Sequence, residues 1–544
     1  MNDMIHTPEG VRDIPPSEFA KKLEMTDRLL KVIKDAGYLL MQTPSFEFFD
    51  VFANNMGLTP SKELYKFYDK EGSTLVLRPD FTPAMARAFS KLYQDCDDPV
   101  RLCYNGNTFV NANDLNGRLK ECTQIGAELY NDASCEADAA MIGLVVKCML
   151  TAGFDDFVVS VGNGSFFKGL CRSLDITGTD EMNLRELISA KNYYKAEDLL
   201  KHLGVDDKMT DMIVHISDDH TTKDSLDDLK SITDRDLCHP SLDRLIKIME
   251  ILERDGVDKY VSIDLGLLNK YNYYTGVLFR AYTSGFGDAV IKGGRYDNLV
   301  KEFGKDTPAI GFGISLDELL IARNVQERKS KDDSKYLTIA LTKGRLADKT
   351  LALLEKCGFS CEEMKDKDTR KLIFVNEEQK LRFFLAKGPD VPTYVEHGVA
   401  DIGVVGKDTI NEEDRKVLEV LDLGFGKCRM CICGHADMKE RLDTADMIRI
   451  ATKYPHIAKT YFNDIRRQSV DIIKLNGSIE LAPIVGLSDV IVDIVETGST
   501  LRENGLSILE EIFDISARMI VNPVSMRLQS KRINELIGSI KEAL

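Results

Sequence analysis

The sequence has no long apolar run and no excess of basic residues, and each absence excludes a class of protein. No apolar run approaches the roughly 20 residues of a membrane-spanning helix, and the N-terminal segment MNDMIHTPEG lacks the apolar core of a signal peptide. The 71 Lys and Arg residues are outnumbered by 88 Asp and Glu residues, giving a formal charge of −17. This charge argues against an extended nucleic-acid surface. We therefore expect no binding to membranes or nucleic acids, and binding of phosphates only at local sites.

The cysteines do not form the disulfide framework of a small secreted domain. Twelve of them are scattered along the chain, which is typical of a protein in the reducing cytoplasm. One cluster, Cys428, Cys431 and Cys433 in the stretch KCRMCICGH, has a metal-like spacing. The stretch also alternates like a strand, and no second cluster supplies the missing ligands. We interpret these cysteines as small apolar side chains of a strand, with a metal site as the alternative.

The chain divides at a charged segment. With 544 residues, 43% of them hydrophobic and 29% charged, it has the composition of a soluble globular protein with about two to four domains. Residues 324–335, NVQERKSKDDSK, show no apolar periodicity and lie between two strongly patterned regions. They are predicted to be an interdomain linker. The predicted domains are therefore residues 1–323 and 336–544.

The two domains differ in pattern. The second opens with a short apolar strand, a turn at 343–345 and an amphipathic helix, and then alternates strand-like runs such as LRFFLA, ADIGVVG and DVIVDIV with helical ones. This alternation predicts a doubly wound or two-lobed α/β domain. The first mixes helices and strands up to about residue 180, is almost entirely helical over 181–257, and then returns to strand-like sequence. It is predicted to be an α+β domain with a helical insertion.

One stretch of the second domain, DVIVDIVETGSTLREN, ends a buried-looking strand with acids. Asp493 and Glu496 are followed at once by small residues and hydroxyls, and we predict a strand–loop–helix unit whose helix continues through LRENGLSILEEI. Small residues allow backbone N–H groups to approach an anion, and a helix N-terminus favours it. The acids suit sugar hydroxyls or a magnesium ion. The pattern favours a phosphorylated sugar, with an N-capping turn without ligand as the alternative.

The longer run at 475–506, LNGSIELAPIVGLSDVIVDIVETGSTLRENGL, resembles the phosphoribosyl-pyrophosphate signature of the ATP phosphoribosyltransferase family. LTKGRL, RKLIF, DVPTYVEHGVADIGVVGKD, GFGKCRM, IATKY and SARMIVN follow the family order. The resemblance implies a two-lobed fold like that of periplasmic binding proteins and the first step of histidine biosynthesis. In that reaction, adenine N1 of ATP attacks the anomeric carbon of phosphoribosyl pyrophosphate and releases pyrophosphate. The resemblance implies that this substrate is bound by Asp493, Glu496, Thr497, Gly498, Ser499, Thr500 and Leu501.

The chemistry of that reaction requires cations rather than a base. Adenine N1 already carries a free lone pair, whereas the leaving pyrophosphate needs magnesium and cationic side chains to stabilise its charge. We expect magnesium to arrive with the substrate rather than at a fixed protein site. The resemblance implies catalytic roles for Arg345 and Arg370, with Lys343 as a third candidate. The alternative is that each is an exposed, solvated charge. Lys387 stands where the family often has an arginine, and a lysine loses the bidentate geometry.

Residues 1–323 resemble the histidyl-tRNA synthetase-like regulatory subunit that short forms of the enzyme use. TPEGVRDIPP, LRPDFTPAMAR, RLCYNGNTF, TQIGAE, YNYYTG and IKGGRYDNLV follow the synthetase order. A working class II synthetase is the alternative. Such an enzyme needs Arg–x–Glu in its second motif, where this chain has residues 110–112 (Val-Asn-Ala), and arginines where it has Glu318 and Asn269. Losing three cations from one polyanion site is expected to abolish adenylation.

The amino-acid pocket of the synthetase family is better kept. The resemblance implies that histidine is contacted by Asp80, Thr82, Gln124, Glu128, Tyr273 and Tyr274. Carboxylates around a pocket suit an α-ammonium group and a protonatable imidazole, so histidine is predicted to bind here as a feedback inhibitor. The alternative is that these residues are inherited structure in a purely scaffolding domain. A histidine-binding protein or histidyl-tRNA ligase is the alternative from another class.

The sequence thus predicts one polypeptide that fuses a regulatory and a catalytic subunit. Its expected ligands are ATP, phosphoribosyl pyrophosphate, magnesium and histidine. Both parent families are oligomeric, so we also expect a homo-oligomer in the cytoplasm. A two-lobed solute receptor is the rival for the second domain, but an export signal is not evident.

Overall fold

The computed structural model describes residues 5–52, 59–112, 119–217, 223–268, 274–328, 336–365, 371–444 and 447–544. The chain forms two compact units, Met1–Ser330 and Lys331–Leu544. None of the helices in these described residues is long and apolar enough to span a membrane. The predicted positions Asn269, Tyr273 and Arg370 lie outside the described residues.

The first unit is built on a mainly antiparallel sheet. Its described strands are β1 Leu39–Leu40, β2 Phe46–Phe48, β3 Lys66–Tyr68, β4 Thr74–Leu77, β5 Val100–Phe109, β6 Glu121–Tyr130, β7 Phe157–Asn163, β8 Val261–Ile263, β9 Val277–Thr283, β10 Ile291–Arg295 and β11 Ala309–Ser315. Eight of these described strands form the large sheet in the order β1-β5-β6-β11-β10-β9-β7-β8, and β2-β4-β3 form a small one. The central strands β6 and β11 lie side by side, so residues far apart in sequence share one sheet face.

Helices cover the large sheet and fill the insertion. They are α1 Pro16–Asp35, α2 Thr82–Leu92, α3 Cys135–Thr151, α4 Gly164–Ser173, α5 Thr179–Ser189, α6 Tyr193–His202, α7 Asp207–Val214, α8 Lys223–Ile232, α9 His239–Arg254, α10 Asp297–Lys301 and α11 Leu316–Arg328. In α1, Met25, Leu29 and Ile33 recur every four residues and are buried in the core. Ser134 is the N-cap of helix α3, and its hydroxyl accepts the N–H of Ala137 at 3.1 Å.

The second unit has two lobes, each with its own sheet. Its described strands are β12 Leu337–Thr342, β13 Ile373–Asn376, β14 Leu381–Ala386, β15 Ile402–Gly406, β16 Leu418–Asp422, β17 Cys428–Gly434, β18 Ile448–Thr452, β19 Val470–Lys474, β20 Val490–Val495, β21 Ser507–Ile515 and β22 Ala517–Val521. Lobe one contains the sheet β13-β14-β12-β15-β22-β16, and lobe two contains the sheet β19-β18-β20-β17-β21. The α+β and two-lobed α/β classes predicted from the sequence are confirmed.

The helices of the second unit pack on both sheets. They are α12 Arg345–Lys356, α13 Val391–Glu396, α14 Lys407–Glu413, α15 Met438–Thr444, α16 Pro455–Thr460, α17 Leu481–Ile484, α18 Ser499–Glu503, α19 Pro523–Leu528 and α20 Ser530–Ala543. The chain passes between the lobes twice, after β16 and after β21. The two crossings are hydrogen-bonded to each other, because Leu423 N–H donates to the Ala517 carbonyl and Ala517 N–H donates to the Phe425 carbonyl, both at 2.9 Å.

Two predicted features need correction. The helix expected through LRENGLSILEEI is only the single turn α18, because Gly505 adopts φ 70°, and Ser507–Ile515 instead pairs as a strand with β17. Residues 324–328, assigned to the linker, continue helix α11. That end of the helix is held by polar contacts rather than by apolar periodicity: Gln326 Nε2 donates to Thr283 Oγ1 at 2.9 Å. The remaining domain boundaries stay predictions.

The cysteine cluster lies in strand β17, between β20 and β21. Cys431 and Cys433 are completely buried there among apolar side chains. Within the described ranges, no group of three or more His, Cys, Asp or Glu residues is placed to hold a metal ion. Cys431 and Cys433 are core residues of the strand, whereas Cys428 at its start is partly exposed.

Candidate functional site

The carboxyl ends of parallel strands form an edge in each lobe of the second unit. In lobe one, β12 lies parallel to β14 and β15, and in lobe two, β18 lies parallel to β19 and β20. Open α/β sheets bind ligands in the crevice outside such edges. The residues directly after the strand ends are Lys343, Lys387 and Lys407 in lobe one, and Lys453, Leu475 and Glu496 in lobe two.

The two edges face each other across a cleft. Arg345 begins helix α12 of lobe one, and its Nη2 lies 3.9 Å from Oε2 of Glu496 in lobe two. Both side chains are exposed, so the pair itself contributes little stability. Its value is positional, because it brings a predicted catalytic arginine next to the predicted phosphoribosyl loop. Lys343 and Lys387 are neighbours at the same edge, since Lys343 N–H donates to the Ala386 carbonyl at 3.0 Å.

The turn that leads from β20 into α18 contains a left-handed glycine and two neighbouring hydroxyls. Gly498 has φ 70°, a left-handed conformation that favours glycine. The hydroxyls of Thr497 and Ser499 lie 3.1 Å apart and are both exposed. Helix α18 has only five residues. Its dipole is therefore too small to attract an anion in the way that the sequence pattern predicted. The hydroxyls and backbone N–H groups of the loop are the donors that remain.

Asp493 lies near the end of β20 and is partly buried. Burial raises the pKa of its carboxyl to about 6, the N–H of Ile494 lowers it by donating to Oδ1 at 2.8 Å, and the charge of Glu480 raises it further. Lys453, at the end of the neighbouring strand β18, lowers the pKa of Asp493. Asp493 is therefore largely ionised at neutral pH and able to accept hydrogen bonds from hydroxyl groups.

Three residues of the cleft had no predicted role: Asp408, Lys453 and Tyr454. Burial raises the pKa of Asp408, and hydrogen bonds from Thr409 and then the charge of Lys453 offset part of this shift. Burial also raises the pKa of Tyr454, and the charges of Asp408 and Asp493 raise it further. Part of this could be predicted from the sequence. IATKY and ADIGVVGKD both have the pattern of strands, and the residues that follow a strand lie at the edge of its sheet. Tertiary contact alone shows that the two edges meet.

Helices α14 and α16 connect the lobes beside this cleft. The carboxylate of Glu412, in α14, accepts the backbone N–H groups of His456 and Ile457 at 3.1 Å. These are N–H groups of the first turn of α16, which the helix itself cannot satisfy. The carboxylate of one lobe thus caps a helix of the other, next to Lys453.

The predicted histidine pocket of the first unit is centred on Glu128. This carboxylate is fully buried on the central strand β6. The Thr82 hydroxyl donates to its Oε1 at 3.0 Å, and the Tyr296 hydroxyl donates to its Oε2. Gly311 lies directly across on β11, and a Cβ there would lie 1.6 Å from Glu128 Oε2. Only glycine at this position leaves space for the carboxylate.

Burial makes both acids of the pocket harder to ionise than usual, Glu128 more so than Asp80. Burial raises the pKa of Glu128 to about 8, partly offset by the hydroxyls of Tyr296 and Thr82. Burial likewise raises the pKa of Asp80 to about 6, partly offset by the Thr82 N–H, which donates to Oδ1 at 2.9 Å. The charge of Asp80 adds to the shift of Glu128. A cationic ligand would relieve this repulsion.

Gln124 and Tyr274 complete the described part of the pocket. Gln124 lies on the same face of β6 as Glu128, over Gly313, where a Cβ would lie 2.2 Å from Gln124 Nε2. Its Oε1 is buried and accepts no hydrogen bond from the described residues. A buried oxygen without a donor is rare in proteins. Tyr274 lies against Gly294 and is partly buried.

At residues 110–112 and at Glu318, the described positions of the second and third synthetase motifs, no side chain is a cation. Residues 110–112 follow β5, and Asn111 N–H donates to the Glu63 carbonyl at 2.8 Å. Glu318 lies in the first turn of α11. Lys292 is on the sheet, but its ammonium pairs with Asp288 at 2.9 Å, and the charge of Glu318 also acts on it. The ammonium of Lys292 is thus offset by acids.

The folds and sites define a class II synthetase-like unit joined to a two-lobed α/β unit of the phosphoribosyltransferase type. The profile of the histidyl-tRNA synthetase family matches residues 10–319, and that of ATP phosphoribosyltransferase matches residues 387–542. The chain belongs to the ATP phosphoribosyltransferase family and is an enzyme of that class, with a synthetase-like regulatory unit in the same polypeptide.

Relatives match the two units separately. An ATP phosphoribosyltransferase of Lachnoclostridium phytofermentans is 67% identical over 210 residues, which are 39% of this chain and 98% of the relative. An ATP phosphoribosyltransferase regulatory subunit of Acetivibrio thermocellus is 35% identical over 323 residues, 59% of this chain and 77% of the relative. The crystal structure of a regulatory subunit/histidyl-tRNA synthetase from Bacillus halodurans covers 71% of this chain and all of its own, with a TM-score of 0.56 at 24% identity. This last likeness concerns the fold alone.

Proposed function

We propose that this chain forms N1-(5-phosphoribosyl)-ATP and pyrophosphate from ATP and phosphoribosyl pyrophosphate, the first step of histidine biosynthesis, and that histidine bound in the first unit inhibits it. The observation that carries the catalytic half is the meeting of Arg345 and Glu496 across the cleft, 3.9 Å apart. Arg345 would stabilise the leaving pyrophosphate, and Glu496 directly follows strand β20, whose Asp493 would bind the ribose.

The residues of the cleft divide between the parts of the substrate. Asp493 and Glu496 accept hydrogen bonds from the ribose hydroxyls, and the loop Thr497–Leu501 binds the 5-phosphate through its hydroxyls and N–H groups. Arg345 and Lys343 stabilise the pyrophosphate as its bond to the anomeric carbon breaks, and we assign the same role to Arg370, whose position lies outside the described residues. Mg²⁺ carried by the substrate would offset phosphate charge, and the carboxylates of Asp493 and Glu496 are oxygen ligands of the kind it prefers.

The regulatory half rests on the polar atoms of the pocket around Glu128. A buried carboxylate with a raised pKa and a buried glutamine oxygen without a donor both suit a ligand that brings N–H donors and positive charge. The α-ammonium and imidazole groups of histidine supply both. Asp80, Thr82, Gln124, Glu128, Tyr273 and Tyr274 are the residues that we assign to histidine.

The rival is an enzyme whose first unit is only a scaffold. It predicts that substitutions in the pocket leave inhibition unchanged. A histidyl-tRNA ligase is disfavoured because Lys292 is already paired with Asp288 and because the net charge of −17 suits tRNA poorly.

Joining both units in one chain also bears on assembly. A covalent connection raises the effective concentration of each unit near the other and fixes their ratio at one to one. We propose that the chain assembles as a homo-oligomer in the cytoplasm. Size-exclusion chromatography with light scattering would measure the molar mass of the assembly.

The test is the initial rate of phosphoribosyl-ATP formation by the intact chain with ATP, phosphoribosyl pyrophosphate and magnesium, with and without histidine. Product formation suppressed by histidine is the expected result. Turnover indifferent to histidine would leave the enzyme and reduce the first unit to a scaffold, and absence of turnover would refute the assignment of the cleft.

A further inference from the structure

Lys453 is placed by the sheet of lobe two beside the predicted sugar-binding acid. Strands β18 and β20 are parallel, with Ala451 opposite Ile491 and Thr452 opposite Val492. Continuing this register by one residue sets Lys453 opposite Asp493, at the roughly 4.8 Å spacing of neighbouring strands. The Thr452 hydroxyl fixes the turn, because it donates to the Val492 carbonyl at 2.6 Å and accepts the Tyr454 N–H at 2.8 Å.

The charge of Lys453 acts on carboxylates of both lobes. Burial raises the pKa of Asp493 in its own lobe and of Asp408 in lobe one, and Lys453 offsets a part of each shift. The Glu412 cap on α16 holds α14, which carries Asp408, against this side of the cleft. The lysine side chain itself is exposed, so its ammonium is accessible to a ligand in the cleft.

The expected substrate carries a pyrophosphate group that a cation at this position could bind. Phosphoribosyl pyrophosphate presents its ribose hydroxyls to Asp493 and Glu496, and its pyrophosphate leaves from the neighbouring anomeric carbon. As the bond from adenine N1 to that carbon forms, the carbon–oxygen bond breaks and its electron pair remains on the pyrophosphate. Charge-assisted hydrogen bonds from ammonium to phosphate oxygens are among the strong ones.

Resting on the function proposed above, we propose that Lys453 is a further catalytic residue that binds the pyrophosphate group of phosphoribosyl pyrophosphate and stabilises its charge as it leaves. The alternative is a positioning role, in which Lys453 only keeps Asp493 ionised. The two roles predict different effects of Lys453 on the Ki of pyrophosphate and on the pH–rate profile. A catalytic contact strengthens pyrophosphate binding, whereas a positioning contact only shifts the acid limb of the profile.

The experiment compares Lys453→Met, Lys453→Gln and Lys453→Arg with Lys459→Met, an exposed lysine in the next helix. Initial rates of the full chain give kcat and KM for each substrate, and product inhibition gives the Ki of pyrophosphate. For Lys453→Met we expect kcat/KM for phosphoribosyl pyrophosphate to fall about 100-fold and the Ki of pyrophosphate to rise at least about tenfold. KM for ATP should change little, Lys453→Arg should recover part of the loss, and Lys459→Met should match wild type.

The outcomes separate this inference from the function on which it rests. A wild-type chain without turnover would refute the function. Wild-type turnover with an unchanged Ki of pyrophosphate in Lys453→Met would overturn the contact, and a shifted acid limb in that variant would then establish the positioning role. Thermal unfolding of each variant shows whether it is folded, and Lys453→Gln serves if Lys453→Met is not.

Discussion

Replacement of Glu128 by glutamine tests the regulatory pocket most directly. Glutamine keeps the size of the side chain. Its amide oxygen can accept one of the two hydroxyl hydrogen bonds of Thr82 and Tyr296, and the other hydroxyl can rotate to accept an amide N–H, so the fold should be retained. It replaces the carboxylate that would pair with a cationic ligand by a neutral amide. Truncating one partner of a buried charged pair costs about 2–5 kcal/mol. The Kd for histidine should therefore rise about 30- to 4,000-fold, while the uninhibited rate stays at the wild-type value.

The pH dependence of binding gives a second, independent readout of the same variant. In the free protein, burial raises the pKa of Glu128 to about 8. A cationic ligand needs the ionised carboxylate, so binding below pH 8 must release a proton. Affinity of the wild type should then rise about tenfold per pH unit near neutrality, and Glu128→Gln should remove this slope. The proton of Asp80, with a pKa of about 6, adds to the slope only at lower pH.

Isothermal titration calorimetry of the full chain with histidine, in two buffers of different ionisation enthalpy, measures both the Kd and the proton release. Glu121→Gln is the matched control, because Glu121 lies on the same strand but on the opposite face, where Asn107 Nδ2 donates to it at 2.7 Å. A Glu128→Gln variant that binds histidine within twofold of wild type, with the same pH slope, would refute the assignment of the pocket.

Three further predictions concern single positions. Asp493→Asn should lower kcat/KM for phosphoribosyl pyrophosphate about 10- to 150-fold. The wild type should lose activity below about pH 6, where Asp493 gains a proton. A pH–rate profile of the wild type and of the variant tests both expectations. Gly498→Ala introduces a side chain at φ 70°, costing about 1–2 kcal/mol, so KM for this substrate should rise about 5- to 30-fold in steady-state assays. Gly311→Ala places a Cβ 1.6 Å from Glu128 Oε2, so histidine inhibition should be lost in dose–response curves while uninhibited turnover persists.

The sequence predicted those parts of the fold that depend on local pattern. The buried parallel strands of the second unit are nearly continuous apolar runs, which is why ADIGVVG and DVIVDIV were recognisable. Strand β21 was mistaken for a helix because SILEEI spaces its apolar residues in a way that also fits a helical face. Pairing with β17, more than 70 residues away along the chain, decides its conformation, and single-sequence patterns do not contain that information.

The sites show the same division. The phosphoribosyl loop is contiguous in sequence, so its residues could be assigned from one motif. Tyr296 donates to Glu128 from 168 positions away, and Gly311 shapes the same pocket from a third segment. Lys453 and Asp408 meet only because two sheet edges face each other. Residues of this kind are recognised by what the fold brings together rather than by their neighbours in the chain.

The Glu412 cap has a consequence for how tightly substrates bind. In two-lobed proteins whose lobes close only part of the time, the apparent Kd equals the intrinsic Kd divided by the fraction of molecules in the binding-competent form. Here a carboxylate of one lobe accepts two N–H groups of the other at 3.1 Å, and the paired crossings restrict how the lobes can separate. The cleft is therefore preorganised. Its first substrate meets a site whose width is set in advance by the chain's own hydrogen bonds.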